Sequence, residues 1–225
     1  SINTLHFDDP DNFFLKLDKD DRFFKKKILK EDKKKNELYK IRSKFEDLRI
    51  VENNSYKLIK KIDQKIKFSD CNSGNFNRAL QILNKTNQFN FSLNRYNEKK
   101  LQHILNKKSV YKVKLVSLKD KFGDYGLIGI FILKTQKYKI EVLDFALSCR
   151  VLERFVEDYI IYFILKNFKA TNYIINYQSS TYNKDLIPKF LKKNFFTLKN
   201  KNNNSYKYEI IKKKGLNEIK KIFNQ

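Results

Sequence analysis

Cys149 and Arg150 follow Ser148 where a strand-like apolar run ending at Leu147 gives way to the helical spacing of Leu152, Phe155, Val156, Tyr159, Ile160 and Phe163. A thiol at the head of a helix, beside a cation, points to one kind of chemistry. Both neighbours favour the thiolate, and a thiolate accepts an acyl group and hands it on. The competing reading is packing, because an isolated cysteine in an apolar setting is commonly a small core residue. Cys71, at the end of a strand-like alternation, has no cation beside it and reads as core or strand end.

A second cluster is made of amides. Asn84, Asn87, Gln88 and Asn90 fall within the run NKTNQFN. Asparagine competes with the backbone for hydrogen bonds and does not sit comfortably inside a helix. The run is therefore either a polar loop or a set of amide donors facing a ligand. Asp120 and Asp124 flank a glycine turn, where Asp-x-Gly is ordinary turn chemistry; Asp124 is retained as a candidate substrate contact. His6 and His103 have no ligand partners at metal spacing, so neither a metal site nor a histidine-based triad is expected. Asp18-Lys19-Asp20 superficially matches the paired aspartates of haloacid-dehalogenase (HAD) phosphatases. That chemistry needs a buried strand before the pair, and Phe13 to Leu17 reads as helix instead.

The elements that must position these residues follow from periodicity. Residues 1–60 are charged and helical in pattern, with Leu38, Ile41, Phe45 and Leu48 forming a narrow stripe that must pack on something else. From Ile62 the spacing changes: Ile62, Gln64, Ile66 and Phe68 alternate as a half-buried strand. Phe76, Ala79, Leu80 and Leu83 make an amphipathic helix, and Asn97 caps a second one carrying Leu101, Ile104 and Leu105. Tyr111 to Ser117, Leu127 to Leu133 and Tyr138 to Leu147 read as three antiparallel strands, with the Gly123-Asp124-Tyr125-Gly126 turn between the first two. After the helix at Ser148 come a strand at Tyr173 to Tyr177, a helix at Leu186 to Leu191 with Pro188 in its first turn, and a strand at Tyr206 to Ile210. A basic helix, Leu216 to Phe223, closes the chain. Three antiparallel strands followed by a parallel crossover make a mixed α/β sheet with helices on its faces. The element order is that of a GNAT-like N-acetyltransferase fold with an N-terminal helical extension over 1–60 and the domain proper over 61–225.

Composition bounds the function. The chain has 225 residues, 15% of them aromatic, and a formal net charge of +24. That charge suits a polyanion partner. However, lysine is spread over every segment rather than concentrated on one element, which disfavours nucleic acid. No apolar run is long enough to span a membrane. Two cysteines make no disulfide framework, and a reducing cytoplasm is the expected compartment. The absence of methionine makes Ser1 read as a processed or truncated start.

Three collinear motifs, NKTNQFN, KDKFGDYGLIG and LSCRVLERFVE, resemble the C-terminal half of FkbH-like proteins. These are HAD subfamily IIIC enzymes with a GNAT-like domain behind the phosphatase-like domain. Thr181-Tyr182-Asn183 is similar to the family's threonine-x-asparagine run. The lead-in, with Asp8-Asp9-Pro10, Phe23-Phe24 and Lys30-Glu31-Asp32, resembles the segment after the family's HAD domain. The resemblance implies a HAD domain in cis upstream and transfer of a glyceryl or similar small acyl unit to an acyl carrier protein, in polyketide or surface-polysaccharide biosynthesis. It implies Cys149 as the acyl-accepting thiol and Arg150 as a phosphate or thiolate partner. Asn84, Asn87, Gln88, Asn90, Thr181 and Asn183 become candidate substrate contacts. The family keeps glycines around the second arginine of this motif, and this chain has Glu153 and Phe155 there. Spaced glycines at this junction let backbone N–H groups approach a pyrophosphate. Their loss favours the phosphopantetheine arm of a carrier protein over free CoA, with no tightly bound cofactor, or else a non-catalytic docking module.

Overall fold

The computed structural model describes residues 55–212 and 215–217, together with Phe45 and Leu48. The expected helices before residue 45, the Asp18-Lys19-Asp20 segment and most of the closing basic helix lie outside the described residues.

One mixed eight-stranded sheet organises the domain. Strand β1 (Lys65–Asp70) follows helix α1 (Ser55–Lys61). Then come α2 (Phe76–Lys85), the two-residue β2 (Phe89–Asn90) and α3 (Glu98–Asn106). Strands β3 (Tyr111–Asp120), β4 (Gly123–Thr135) and β5 (Lys139–Leu147) form an antiparallel meander with β1 on its outer edge. A single 3-10 turn, Cys149–Val151, precedes α4 (Val156–Asn167). Strand β6 (Asn172–Gln178), α5 (Leu186–Lys193), β7 (Thr197–Asn202) and β8 (Ser205–Ile211) complete the sheet in the order β1-β3-β4-β5-β6-β8-β7. The β5–β6 pair is parallel, and the other pairings are antiparallel.

The side-chain pattern explains the layering. Strand β4 is apolar at nearly every position from Leu127 to Leu133, as a strand covered on both faces must be. On one face Leu115, Ile130, Ile132 and Ala146 meet Ala79 and Leu83 of α2 and Leu101 and Ile104 of α3. On the other, Val116, Phe131, Leu133 and Phe145 meet Ile160, Ile161 and Ile164 of α4 and Phe190 and Leu191 of α5.

Several boundaries differ from the sequence expectation. Ile62 is fully buried but closes α1 rather than opening a strand, because Asp63 adopts φ 50° and ends the helix. The β3–β4 turn is residues 121–122, one step before the expected glycine turn. Gly126, at φ 64°, sits inside β4, where register shifts displace that strand against β3. Strand β7 was not visible in the sequence: every residue of Thr197–Asn202 is exposed, so no apolar alternation marks it.

The parallel pair governs the site. Strands β5 and β6 pair only from Lys139↔Asn172 to Val142↔Ile175. Beyond that they part, and β2 enters the opening. Phe89 and Asn90 pair with Leu147 and Ala146 of β5. The Phe91 N–H donates to the Phe145 carbonyl (3.2 Å), and the Phe91 carbonyl accepts from the Gln178 N–H of β6 (2.7 Å). The rings of Phe89 and Phe91 are buried against Phe145 and Phe190. Gly129 belongs to the same region: a Cβ there would lie 2.8 Å from Leu147 Cδ1 and 3.2 Å from the Ala146 carbonyl oxygen, so a side chain would require the Leu147 side chain and β5 to shift.

Candidate functional site

Cys149 is exposed, on the 3-10 turn at the carboxyl end of β5. The expected position at the head of the long helix is corrected: α4 begins only at Val156. Glu153 (φ 65°) and Phe155 (φ 56°) adopt left-handed backbone conformations that interrupt any helix running from Cys149. The thiol therefore lies a loop away from the N-terminus of α4. The Arg150 Nε donates to Ser148 Oγ at 3.1 Å.

A cavity of about 470 Å³ opens beside the thiol, lined by Gln88, Cys149, Arg150, Glu153, Arg154 and Tyr182 among others. Of the residues singled out from the sequence, the fold brings Gln88, Cys149 and Arg150 to this cavity. Tyr182, with 67% of its surface exposed, was not anticipated; its only signal was its place inside the Thr181-Tyr182-Asn183 run. Thr181 is exposed in the same loop.

The remaining candidates have structural partners. Asn84 ties α2 to the segment before α3, donating to the Tyr96 carbonyl (2.7 Å) and accepting from the Tyr96 N–H (2.8 Å). Asn87 accepts from Arg95 Nη2 at 2.8 Å. Asn90 is fully buried, donates to the Thr86 carbonyl (3.1 Å) and accepts from the Leu93 N–H (2.9 Å). Asn183, also fully buried, donates to the carbonyls of Asn90 and Gln178, each at 3.1 Å. It accepts from the Ser180 N–H (2.7 Å) and the Tyr177 hydroxyl (3.1 Å). Asp124 accepts from the Gly126 N–H at 2.8 Å, as turn chemistry predicts. The amide run thus spans the end of α2, a short loop and β2, and its amides, Gln88 apart, hold β2 and its neighbours in place.

Two charged features under the loop escaped the sequence reading. The first is Arg154, 1% exposed, whose Nη1 donates to Asp120 Oδ2 (2.9 Å). Its guanidinium carbon lies 3.7 Å from the centre of the Phe45 ring. Asp120 also accepts from the Phe122 N–H (2.8 Å) and the Tyr125 hydroxyl (2.9 Å), and Gln64 Nε2 donates to the Arg154 carbonyl (3.0 Å). Burial drives the Tyr125 phenol above its usual range, and the Arg154 charge opposes that rise. This network pins the Cys149 loop to the β3–β4 hairpin and to Phe45. The second is Glu157 in the first turn of α4. Its Oε1 accepts the Glu153 N–H at 3.2 Å. Burial, with the Asp158 charge adding to it, pushes the Glu157 carboxyl up to about 7. Asp158 accepts from Lys193 Nζ (2.9 Å) and Asn194 Nδ2 (2.8 Å).

The antiparallel meander, the single parallel crossover and the order β5-β6-β8-β7 define a GNAT fold, the architecture of N-acetyltransferases. Among solved structures, PaiA N-acetyltransferase from Thermoplasma acidophilum in complex with coenzyme A is similar at 13% identity and a TM-score of 0.51, covering 65% of this chain and 99% of that one. Spermidine N-acetyltransferase from Vibrio cholerae in complex with CoA and spermine is similar at 13% identity and a TM-score of 0.51, covering 67% and 98%. Apo FdhC, a nucleotide-linked sugar GNAT, aligns at 11% identity and a TM-score of 0.52, covering 70% and 93%. No family model and no curated protein matches the sequence. Among the described residues no helix is long and apolar enough to cross a membrane.

The loop of this chain departs from the glycine cradle that suits a diphosphate such as that of CoA, the ligand of the two acetyltransferase complexes. A diphosphate cradle at a helix N-terminus needs exposed N–H groups and no local negative charge. Here the Glu153 N–H already serves the Glu157 carboxylate, and Glu153 and Phe155 stand at left-handed positions that glycine would leave bare.

Proposed function

We propose that this chain is an acyl-transfer domain in which Cys149 takes a small acyl unit and passes it to a thiol carried by another protein. The observation that carries this reading is the exposed Cys149 thiol beside a cavity that it shares with Gln88, Arg150 and Tyr182, in a GNAT fold. The sulfur attacks the carbonyl carbon of an acyl phosphate or thioester, and the leaving group departs with the bonding electron pair. The acceptor thiolate then attacks the enzyme thioester and releases the Cys149 thiolate. Gln88 supplies an amide to orient the acyl unit, and Arg150 places a cation beside the departing phosphate. The resemblance to FkbH-like proteins refines this reading. The acyl unit is then glyceryl, the acceptor is the phosphopantetheine thiol of an acyl carrier protein, the acyl-linked phosphate is the group that leaves on attack by sulfur, and a HAD domain upstream in cis removes the remaining phosphate ester.

Mass spectrometry tests the proposal. The chain is incubated with acetyl phosphate and with 1,3-bisphosphoglycerate, and peptides are searched for an acyl adduct on Cys149. Cys149→Ser must abolish the adduct while circular dichroism stays unchanged. Labelling that survives in Cys149→Ser overturns the assignment.

The crowded loop at Glu153 and Phe155 favours a second reading, a non-catalytic module that docks a carrier protein. Carrier-protein binding with no adduct from either donor selects it.

A further inference from the structure

Glu157 carries an inference about which ligands the domain refuses. The residue is 9% exposed, its side chain folded back towards the loop before its own helix, with Oε1 on the Glu153 N–H at 3.2 Å and Oε2 buried without a hydrogen-bond partner among the described residues. A buried carboxylate is costly unless its oxygens are satisfied. Here one oxygen takes a loop N–H two residues before Phe155, the cap of α4, and the other is left over. The loop around it keeps a glycine-like shape: Glu153 and Phe155 both lie at positive φ, with the Phe155 ring under Lys193 Nζ at 4.4 Å. A backbone shaped for glycine but carrying larger side chains, with the chain's own carboxylate on its N–H, is an anion cradle already occupied.

The sheet gives an independent observation. Ligands of sheets with parallel strands enter at the carboxyl ends of those strands, where the strand order switches. The corresponding opening in this chain lies between β5 and β6; β2 and the Phe91 that follows it fill it, with Phe91 bonded to Phe145 on one side and to Gln178 on the other. Asn183 fastens β2 there from the next loop.

We infer that Glu157, with Glu153 and Phe155, is a specificity device that excludes ligands bearing a nucleotide diphosphate, CoA among them, from the Cys149 cavity. This deepens the proposed acyl-transfer reading by narrowing the thiol partner to one without a diphosphate. It is nonetheless read out by binding alone, and it stands or falls even in a Cys149→Ser background.

Isothermal titration with pyrophosphate, ADP and desulfo-CoA, which lacks a thiol, tests it at pH 8 and physiological salt, where Glu157 is ionised. The wild-type chain is expected to show no saturable binding below about 1 mM. Glu157→Gln removes the charge at nearly equal volume and is expected to bind pyrophosphate and ADP at least about tenfold more tightly than wild type. The combined Glu153→Gly, Phe155→Gly, Glu157→Gln variant extends the gain to desulfo-CoA. Glu98→Gln makes the same change in net charge at an exposed site and must leave binding as in wild type. Wild-type binding of desulfo-CoA with a Kd below about 100 μM overturns the inference. So does a folded Glu157→Gln that gains nothing over Glu98→Gln. If the triple variant loses its circular dichroism signal, the single variant alone decides.

Discussion

The Nδ2 of Asn183 donates to the backbone carbonyl of Asn90 at 3.1 Å, across 93 positions of sequence. One amide thereby ties the loop after β6 to the short strand that fills the opening between β5 and β6. The same nitrogen also reaches the Gln178 carbonyl at 3.1 Å. Asn183→Ala leaves both carbonyls and the Ser180 N–H without that partner, and the expected loss is about 1–3 kcal/mol. Hydrogen exchange separates this from general unfolding: the Phe91 and Gln178 amides should exchange faster while those of β3 and β4 keep their protection. Equal protection at Phe91 in variant and wild type contradicts the assignment.

The Arg154–Asp120 pair is buried on both sides, at 1% and 0% side-chain exposure. Removing one partner strands a charge, so Arg154→Ala is expected to cost about 3–5 kcal/mol in denaturant unfolding. Arg154→Lys should recover less than half of this. An ammonium has no planar face to lay on Phe45, at 3.7 Å, even though its protons could serve Asp120 and the Tyr125 hydroxyl as the single Nη1 does. Full recovery by lysine would show that only the charge matters.

Glu157 sets a pH dependence. Burial raises its carboxyl from 4.5 in the unfolded chain to about 7 in the fold. Between those values the folded chain holds the extra proton, so stability falls as pH rises from about 4.5 towards 7. Asp144, fully buried beneath the hydroxyls of Ser92 and Tyr96, is shifted upward by burial and acts in the same direction. Glu157→Gln should flatten this fall, with a gain on the order of 2 kcal/mol at pH 8 and little change at pH 4.5. Melting temperatures across that range provide the measurement. An unchanged slope in the variant removes Glu157 as its source.

The two cysteines should be kinetically distinct. Cys149 is exposed, whereas Cys71 is half-buried and burial pushes its thiol up. An aromatic disulfide reagent under native conditions should modify Cys149 at least about tenfold faster than Cys71. Cys149→Ser should delete the fast phase alone. A single phase at equal rates would mean that the Cys149 turn is covered.

The sequence alone was enough for much of the fold. The unbroken apolar run of Leu127 to Leu133 marks a strand covered on both faces, and the spacing of Ala79, Leu83, Leu101 and Ile104 marks two helices on one of them. Such patterns are legible because burial acts on each residue at a fixed period of 2 or 3.6. Strand β7 left no such trace, because a wholly exposed edge strand is held by backbone bonds that any residue makes.

The site divides along the same line. Residue type and spacing marked Cys149, Arg150 and Gln88 as candidates, and the resemblance to FkbH-like proteins marked Glu153 and Phe155 as standing where that family keeps glycine. Only the tertiary structure decided what the amides do. Asn84, Asn90 and Asn183 have the composition of a ligand-facing cluster, yet their partners are groups of the chain itself, mostly backbone, supplied in part by segments far away in sequence. Arg154 and Glu157 were equally silent in their partners, since a charged residue at the edge of an apolar run looks the same whether it faces solvent, a phosphate or a buried partner. Distance in space settles which of these it meets, and local sequence carries no record of that distance.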